Sequence, residues 1–171
     1  VDDVAYVSKP VNGVSVRVVH DVIARRGDGY VVAVGDSALR RRASALCLAR
    51  GLRPITVAHP RVEASRFVRV GAGSVISVGS ILTTNVSLGE HVHVNLNCTL
   101  SHDVCVGDYS TLSPGVHVCG HVQIGRDVFI GTGASIINGS SNRPLVVGDG
   151  AVIAAGACVT ESIEAGALVA G

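Results

Sequence analysis

The sequence predicts a mainly β protein, a parallel β-solenoid preceded by a partial α/β domain, and three observations predict it. From Val70 onward the chain repeats every six residues, as VGAGSV, ISVGSI, LTTNVS, LGEHVH, VNLNCT, LSHDVC, VGDYST, LSPGVH, VCGHVQ, IGRDVF, IGTGAS and IINGSS; after a shift it resumes as VGDGAV, IAAGAC and VTESIE. Hydrophobic residues make up 47% of the 171, yet there are only two Phe, three Tyr and no Trp. That composition suits a narrow prism filled by stacked Val, Ile, Ala and Ser. The residues ahead of the repeat lack the hexad and read as fragments of strand and helix.

Sustained repetition at a short period is the signature of a solenoid. An aliphatic residue opens every hexad, and the fifth place is small or β-branched, from Ser74, Ser80 and Val86 to Val128 and Ala134. Neither the strand period of two nor the helical 3.6 accounts for this. A short strand followed by a corner does. Three such faces close a triangular coil, so residues eighteen apart stack at about 4.8 Å spacing. Glycine favours the second place, where the chain is expected to turn. Residues 136–147 break the register around SSNRPL, whose Arg143-Pro144 indicates a loop expelled from the coil.

The earlier segment is taken in order. Residues 14–19 are a candidate strand, and residues 31–34 a clearer buried strand ending at Gly35-Asp36. Residues 37–50 have helical spacing through Leu39, Leu46 and Leu48, stopped by Gly51. Residues 55–57 form the next strand, and His59-Pro60 turns toward the repeat. The expected division is 1–60 and 61–171. Two or three strands are few for an independent sheet; an initial strand, its phosphate-type loop and a helix are therefore expected ahead of Val1.

The net charge of +1 hides a polarisation. Residues 1–69 hold twelve Arg/Lys and six Asp/Glu, against two and seven in residues 70–171. A basic first part beside an acidic prism would attract a phosphorylated ligand; solvated surface arginines are the plainer alternative. No nucleic-acid reader motif is present, and no apolar stretch is long enough to span a bilayer. Five cysteines, an odd number with four in the repeat, make no disulfide framework. Cys98 and Cys158 are expected as buried thiols, and the cytoplasm as the compartment.

Periodicity leaves the handedness of the coil open. The hexad resembles that of the left-handed parallel β-helix of hexapeptide-repeat acyltransferases. Further motifs sharpen the resemblance: Val1-Asp2-Asp3, Asn12-Gly13-Val14, residues 31–35 with Asp36, Leu39 and Arg40, then His59-Pro60, and Ser101-His102-Asp103 followed by Val106-Gly107-Asp108. Together they resemble the sugar O- and N-acyltransferase family of sialic acid O-acetyltransferases and UDP-bacillosamine or perosamine N-acetyltransferases. The resemblance implies a Rossmann-like sugar-nucleotide domain followed by a left-handed β-helix. It also implies acetyl-CoA as acyl donor, polysaccharide biosynthesis as the setting, and a homotrimer with active sites between subunits. The family's opening GxGG loop and usual C-terminal tail are absent from this sequence.

Acyl transfer from a thioester needs a base to deprotonate the attacking amine or hydroxyl. Neutral imidazole suits the task, and a carboxylate can hold its second nitrogen. His102 is the candidate base and Asp103 the orienting group, although neighbouring side chains on a strand diverge unless a corner brings them together. One coil above His102 lies Gly120, whose N–H is a candidate oxyanion donor; the alternative is a glycine that merely permits a corner. His121, one coil above Asp103, is a weaker candidate partner. The resemblance adds Thr111, Ala134, Gly139 and Ala155 as coenzyme-lining residues, Thr111 standing where some relatives carry a second histidine. Asp2, Asp3, Gly35 and Asp36 match the family's sugar-nucleotide side, and Arg143 could meet a coenzyme phosphate or simply occupy a surface loop.

His91, His93, His102, His117 and His121 occupy different hexad places and are expected to point apart, so no metal site is predicted. The leading reading is acetyl-CoA-dependent acetylation of an amino group on a nucleotide-linked amino sugar. The alternatives are O-acetylation of sialic acid or another sugar hydroxyl, and a non-catalytic β-helical scaffold.

Overall fold

The computed structural model describes residues 10–170. Its bulk is a parallel β-solenoid of about six turns, with three sheets of seven, six and five short strands as the faces of a prism. The first stacked strand is Val57–Ala58, paired with Val75–Ile76. Glu63–Ala64 pairs with Ile81–Leu82, and Arg69–Val70 with Ser87–Leu88, so one face follows another at each corner. Partners are eighteen residues apart until Val122–Ile124 meets Leu145–Val147 at an offset of twenty-three. The five extra residues lie around the turn closed by Ser140 and Arg143, which exchange two backbone hydrogen bonds. The expelled loop expected from SSNRPL is therefore present.

The hexad pattern maps directly onto burial. First-place residues such as Leu82, Leu100, Leu112, Ile130 and Ile136 are buried in the prism, as are fifth-place Val86, Val92, Val104, Val116 and Ala134. Where the fifth place is serine, its hydroxyl is satisfied: Ser74, Ser80 and Ser110 each donate to a carbonyl and accept a backbone N–H. A buried hydroxyl is tolerated only with such partners.

The turning place differs from the expected one. The left-handed corner is the fourth position, occupied in order by Gly73, Gly79, Asn85, His91, Asn97, Asp103, Tyr109, Gly115, His121, Asp127 and Gly133, all with positive φ. Glycine at the second position serves close stacking instead: a Cβ on Gly107 would stand 2.6 Å from the backbone N of Arg126 in the next coil. Cys158 also departs from expectation, being exposed while Cys98 is buried. It occupies the sixth place of its hexad, which faces outward.

The α/β segment is smaller than the sequence suggests. A two-stranded parallel sheet joins Gly29–Tyr30 to Arg53–Pro54, with the helix Ser37–Leu48 between them. Residues 14–19 form no strand; Val11 and Val14 close a tight turn, and a short 3₁₀ turn covers Val19–Asp21. Residues 31–34 leave the sheet, and side chains take up two of their carbonyls: that of Val32 accepts from His93 of the prism and that of Val34 from Arg40 of the helix. Of residues 55–57 only Val57 is in a strand, the first of the solenoid, while Ile55 N donates to Tyr30 O just past Arg53–Pro54. Helix Ser37–Leu48 is N-capped by Asp36, whose carboxylate accepts from Leu39 N at 2.7 Å. Leu39 and Leu48 are exposed, and the helix instead buries Arg40 and Ser44.

Candidate active site

His102 and Asp103 occupy the corner between Thr99–Leu100 on the six-stranded face and Cys105–Val106 on the five-stranded one. Asp103 has φ of 58°, and this left-handed turn brings two neighbouring side chains to the same side of the chain. His102 Nδ1 lies 2.9 Å from Asp103 Oδ2. A carboxylate can only accept, so Nδ1 carries the proton and Nε2 of the neutral ring keeps its lone pair. Asn85, one coil below, donates to the other Asp103 oxygen at 2.9 Å. The hydrogen bond from His102, and next that from Asn85, hold the Asp103 carboxyl below its usual range. The imidazole is half exposed.

Directly above, Gly120 is buried and lies against this ring: a Cβ there would stand 2.5 Å from Cε1 and 2.6 Å from Nε2 of His102. A side chain at this point would displace the His102 ring. His121 follows, with Nδ1 3.8 Å from Asp103 Oδ2 and its ring edge-on to His102 at 5.0 Å. The two histidines do not point apart. Third and fourth hexad places one coil apart share a corner, so donor atoms of His102, Asp103 and His121 fall within 4.8 Å of one another. Hexad position alone concealed that convergence; adding the eighteen-residue stacking reveals it.

The remaining candidates scatter. Ala134 points into the prism core, so its side chain faces no groove. Ala155 is exposed at a corner beside Gly131. Gly139 adjoins the active corner, donating to the Gly120 carbonyl, and borders a groove of about 580 Å³ with Arg143, Pro144, Thr160 and Ser162. Thr111 is buried on the seven-stranded face, where it donates to Gly35 O and accepts from Arg40. Gly35, Asp36 and Thr111 border a second groove, of about 400 Å³. Asp2 and Asp3 lie outside the described residues.

A second polar cluster, absent from the expected site, joins the helix to the seven-stranded face. Fully buried Arg40 donates to the carbonyls of Val34, Gly35, Tyr109 and Ser110 and to Thr111 Oγ1, and also meets His93 Nδ1 at 3.3 Å. His93 Nε2 in turn donates to Val32 O. Burial, then Arg40, pushes the His93 imidazole down to about 4; burial brings Arg40 to about 10. Ser44 bridges Tyr30 and His91, and Tyr30, His91 and Tyr109 stack in sequence beneath Arg41, which is paired with Asp127. A guanidinium among carbonyls at the fourth residue of a helix leaves no hydrophobic period to read, so the sequence signalled it only through the family motif.

The fold and its corner define the class of protein: a hexapeptide β-solenoid presenting a carboxylate-held imidazole at one prism edge. The chain is 37% identical over 121 residues to the GDP-perosamine N-acetyltransferase of Escherichia coli O157:H7, covering 71% of this chain and 55% of that protein. Among solved structures, WeeI from Acinetobacter baumannii AYE matches with TM-score 0.93 and 32% identity over 99% of this chain and 81% of that one. The acetyltransferase domain of PglB from Neisseria gonorrhoeae FA1090, in complex with acetyl coenzyme A, matches with TM-score 0.84 and 30% identity, over 94% and 78%. No family model matches the chain. On these relationships the chain belongs to the family of sugar acyltransferases built on a left-handed β-helix. It spans about half the length of the curated relative it matches.

Proposed function

We propose that the protein is an acetyl-CoA-dependent N-acetyltransferase acting on an amino group of a nucleotide-linked amino sugar. The observation that carries this reading is the His102–Asp103 pair, with Nδ1 engaged and Nε2 free of any hydrogen-bond partner among the described residues. The Nε2 lone pair takes the proton from the amine as its nitrogen attacks the thioester carbonyl, and Asp103 stabilises the imidazolium that forms. The proton can then pass to the departing thiolate. The Gly120 N–H is the candidate donor to the carbonyl oxygen, and Gly139 and Ala155 the candidate coenzyme contacts along the same prism.

The nucleotide side is assigned to Gly35 and Asp36, with Asp2 and Asp3, in a Rossmann-like domain of which the described residues contain one strand–helix–strand unit. Gly35 sits on the seven-stranded face, whereas His102 stands at the corner between the other two. One chain's nucleotide groups and its own base thus lie on different sides of a prism. A shared active site therefore requires a neighbouring subunit, which supports the homotrimeric, left-handed β-helix reading. Among the described residues no helix is long and apolar enough to cross a membrane. Exposed free thiols at Cys105, Cys119 and Cys158 suit the reducing cytoplasm, where we place the protein.

The test is release of free thiol from acetyl-CoA by the full-length protein against UDP- and GDP-linked amino sugars, sialic acid and serine. Turnover with a nucleotide-linked amino sugar, lost in His102→Ala, is expected. Turnover that survives His102→Ala, or that appears only with a hydroxyl acceptor, would overturn the assignment.

A further inference from the structure

The arginine-rich start of the chain is only partly consumed by the interactions above. Arg40 is buried in the joint, and Arg41 and Arg126 are paired with Asp127 and Asp149. Arg66 and Arg69 differ: among the described residues neither side chain forms an ion pair or a hydrogen bond, and both residues are exposed. They line a groove of about 420 Å³ together with Phe67, Asn85, Ser87 and Cys105, and no acidic side chain borders it. Phe67 is 54% exposed, with the Arg66 guanidinium over its ring at 4.8 Å.

The position of this groove matters more than its composition. The register Glu63↔Ile81↔Thr99 places Arg66 two coils below His102 on the same prism corner, and Phe67 below Asn85 and Asp103. Asn85 belongs to both places, since it lines the groove and holds Asp103. Two coils amount to about 10 Å. That is comparable to the span from an amine on a pyranose ring, across the ring, to the diphosphate on its anomeric carbon. Two unpaired guanidiniums at that distance are suited to a diphosphate, because each fork can give parallel charge-assisted hydrogen bonds to phosphate oxygens. The exposed Phe67 ring offers an apolar face for a base or sugar.

From this placement we infer that Arg66, Arg69 and Phe67 form a diphosphate-binding subsite serving the His102 centre, and that its ligand is the diphosphate of the nucleotide-linked amino sugar. The inference rests on the proposed acetyl transfer for its substrate, but not for its binding chemistry. Coenzyme A carries a diphosphate too, and the test separates the two sources.

Arg66→Ala, Arg69→Ala and the double variant are compared with the unaltered full chain. The readouts are KM for the amino-sugar nucleotide, KM for acetyl-CoA, kcat, and calorimetric binding of GDP and of coenzyme A alone. Each single substitution is expected to raise the sugar-nucleotide KM and weaken GDP binding about tenfold, the worth of one charge-assisted contact. The acetyl-CoA KM and kcat should stay put, and Arg66→Lys and Arg69→Lys should show a smaller loss than the alanine variants. A rise confined to the acetyl-CoA KM and coenzyme A binding keeps the diphosphate subsite but overturns its assignment to the sugar nucleotide. Both KM values and both affinities unchanged within about twofold would overturn the inference outright. If the unaltered protein acetylates no amino sugar, the functional reading fails, and the two binding measurements still decide the subsite. Because both side chains are exposed, unchanged unfolding midpoints are expected in every variant.

Discussion

Two histidine clusters decorate this solenoid at a comparable height, and their chemistry is opposite. His91 and His93 are buried under the helix, with hydrogen bonds to Ser44 and to Val32 and Arg40, and burial lowers both imidazoles from their ordinary range. His102 and His121 stand at another corner, where His102 keeps one nitrogen on Asp103 and the other available. The repeat supplies both pairs from the same kind of surface position. What separates them is cover: a guanidinium and a helix seal the first pair, whereas no described element lies over the second. His93 has both nitrogens engaged in that dry joint and His91 has only Nε2 engaged, its Nδ1 being buried without a partner, whereas the free Nε2 of His102 faces open space, as the proposed base requires.

The largest separation should come from His102→Ala. Acetyl transfer is expected to fall by about 10²–10⁴-fold, the usual worth of a general base, while the unfolding free energy stays within about 0.5 kcal/mol, as for surface substitutions. Paired rate and denaturation measurements check both halves.

Arg40→Ala should do the reverse. Removing a buried guanidinium strands several carbonyls and Thr111 Oγ1, and a loss of about 3 kcal/mol is expected, read from urea denaturation. An unchanged midpoint would show that the helix does not depend on this contact.

Acid should find the buried cluster before it harms the prism. The His93 imidazole in the folded protein sits near 4, below its ordinary 6.5. As pH falls, the unfolded chain therefore takes up that proton first. Stability is complete above about 6.5 and is lost progressively toward about 4, by at most about 3 kcal/mol. Thermal midpoints flat across that window would contradict the placement of His93.

Asn85→Ala is the smallest and sharpens the other side of the comparison. One of two hydrogen bonds to Asp103 disappears, so its carboxyl should rise toward the usual range. A severalfold fall in kcat is expected because the Asp103 carboxylate that orients His102 is held less firmly, with the acid limb of the rate profile moving up in pH.

Much of the prism was readable before any coordinates. Leu100 and Val104 had to face inward because the first hexad place is aliphatic throughout and the fifth is small or β-branched, and the third-place His102 had to face out. Glycine was misread: Gly107 and Gly125 repeat at the second place because a neighbouring coil passes close, a reason that exists only between chain segments. Cys158 is exposed because it is the sixth residue of the resumed hexad IAAGAC and pairs with the sixth-place Ser135, whereas Cys98 is a fifth-place residue. In the α/β segment, Leu39 looks like a core residue and is exposed, while Arg40, marked in the sequence only by the family motif, is buried.

The sequence alone determined the repeat, the inward residues and the His102–Asp103 dipeptide, because hexad periodicity is a local property that each coil states afresh. Only the tertiary structure decided which residues meet across coils: Asn85, Asp103 and His121 in one column, Gly120 above an imidazole, Arg40 in a sealed joint, Arg66 two steps below the base. Those contacts depend on stacking eighteen residues apart and on docking between unlike segments. No local pattern of side chains encodes the distance between atoms so remote along the chain.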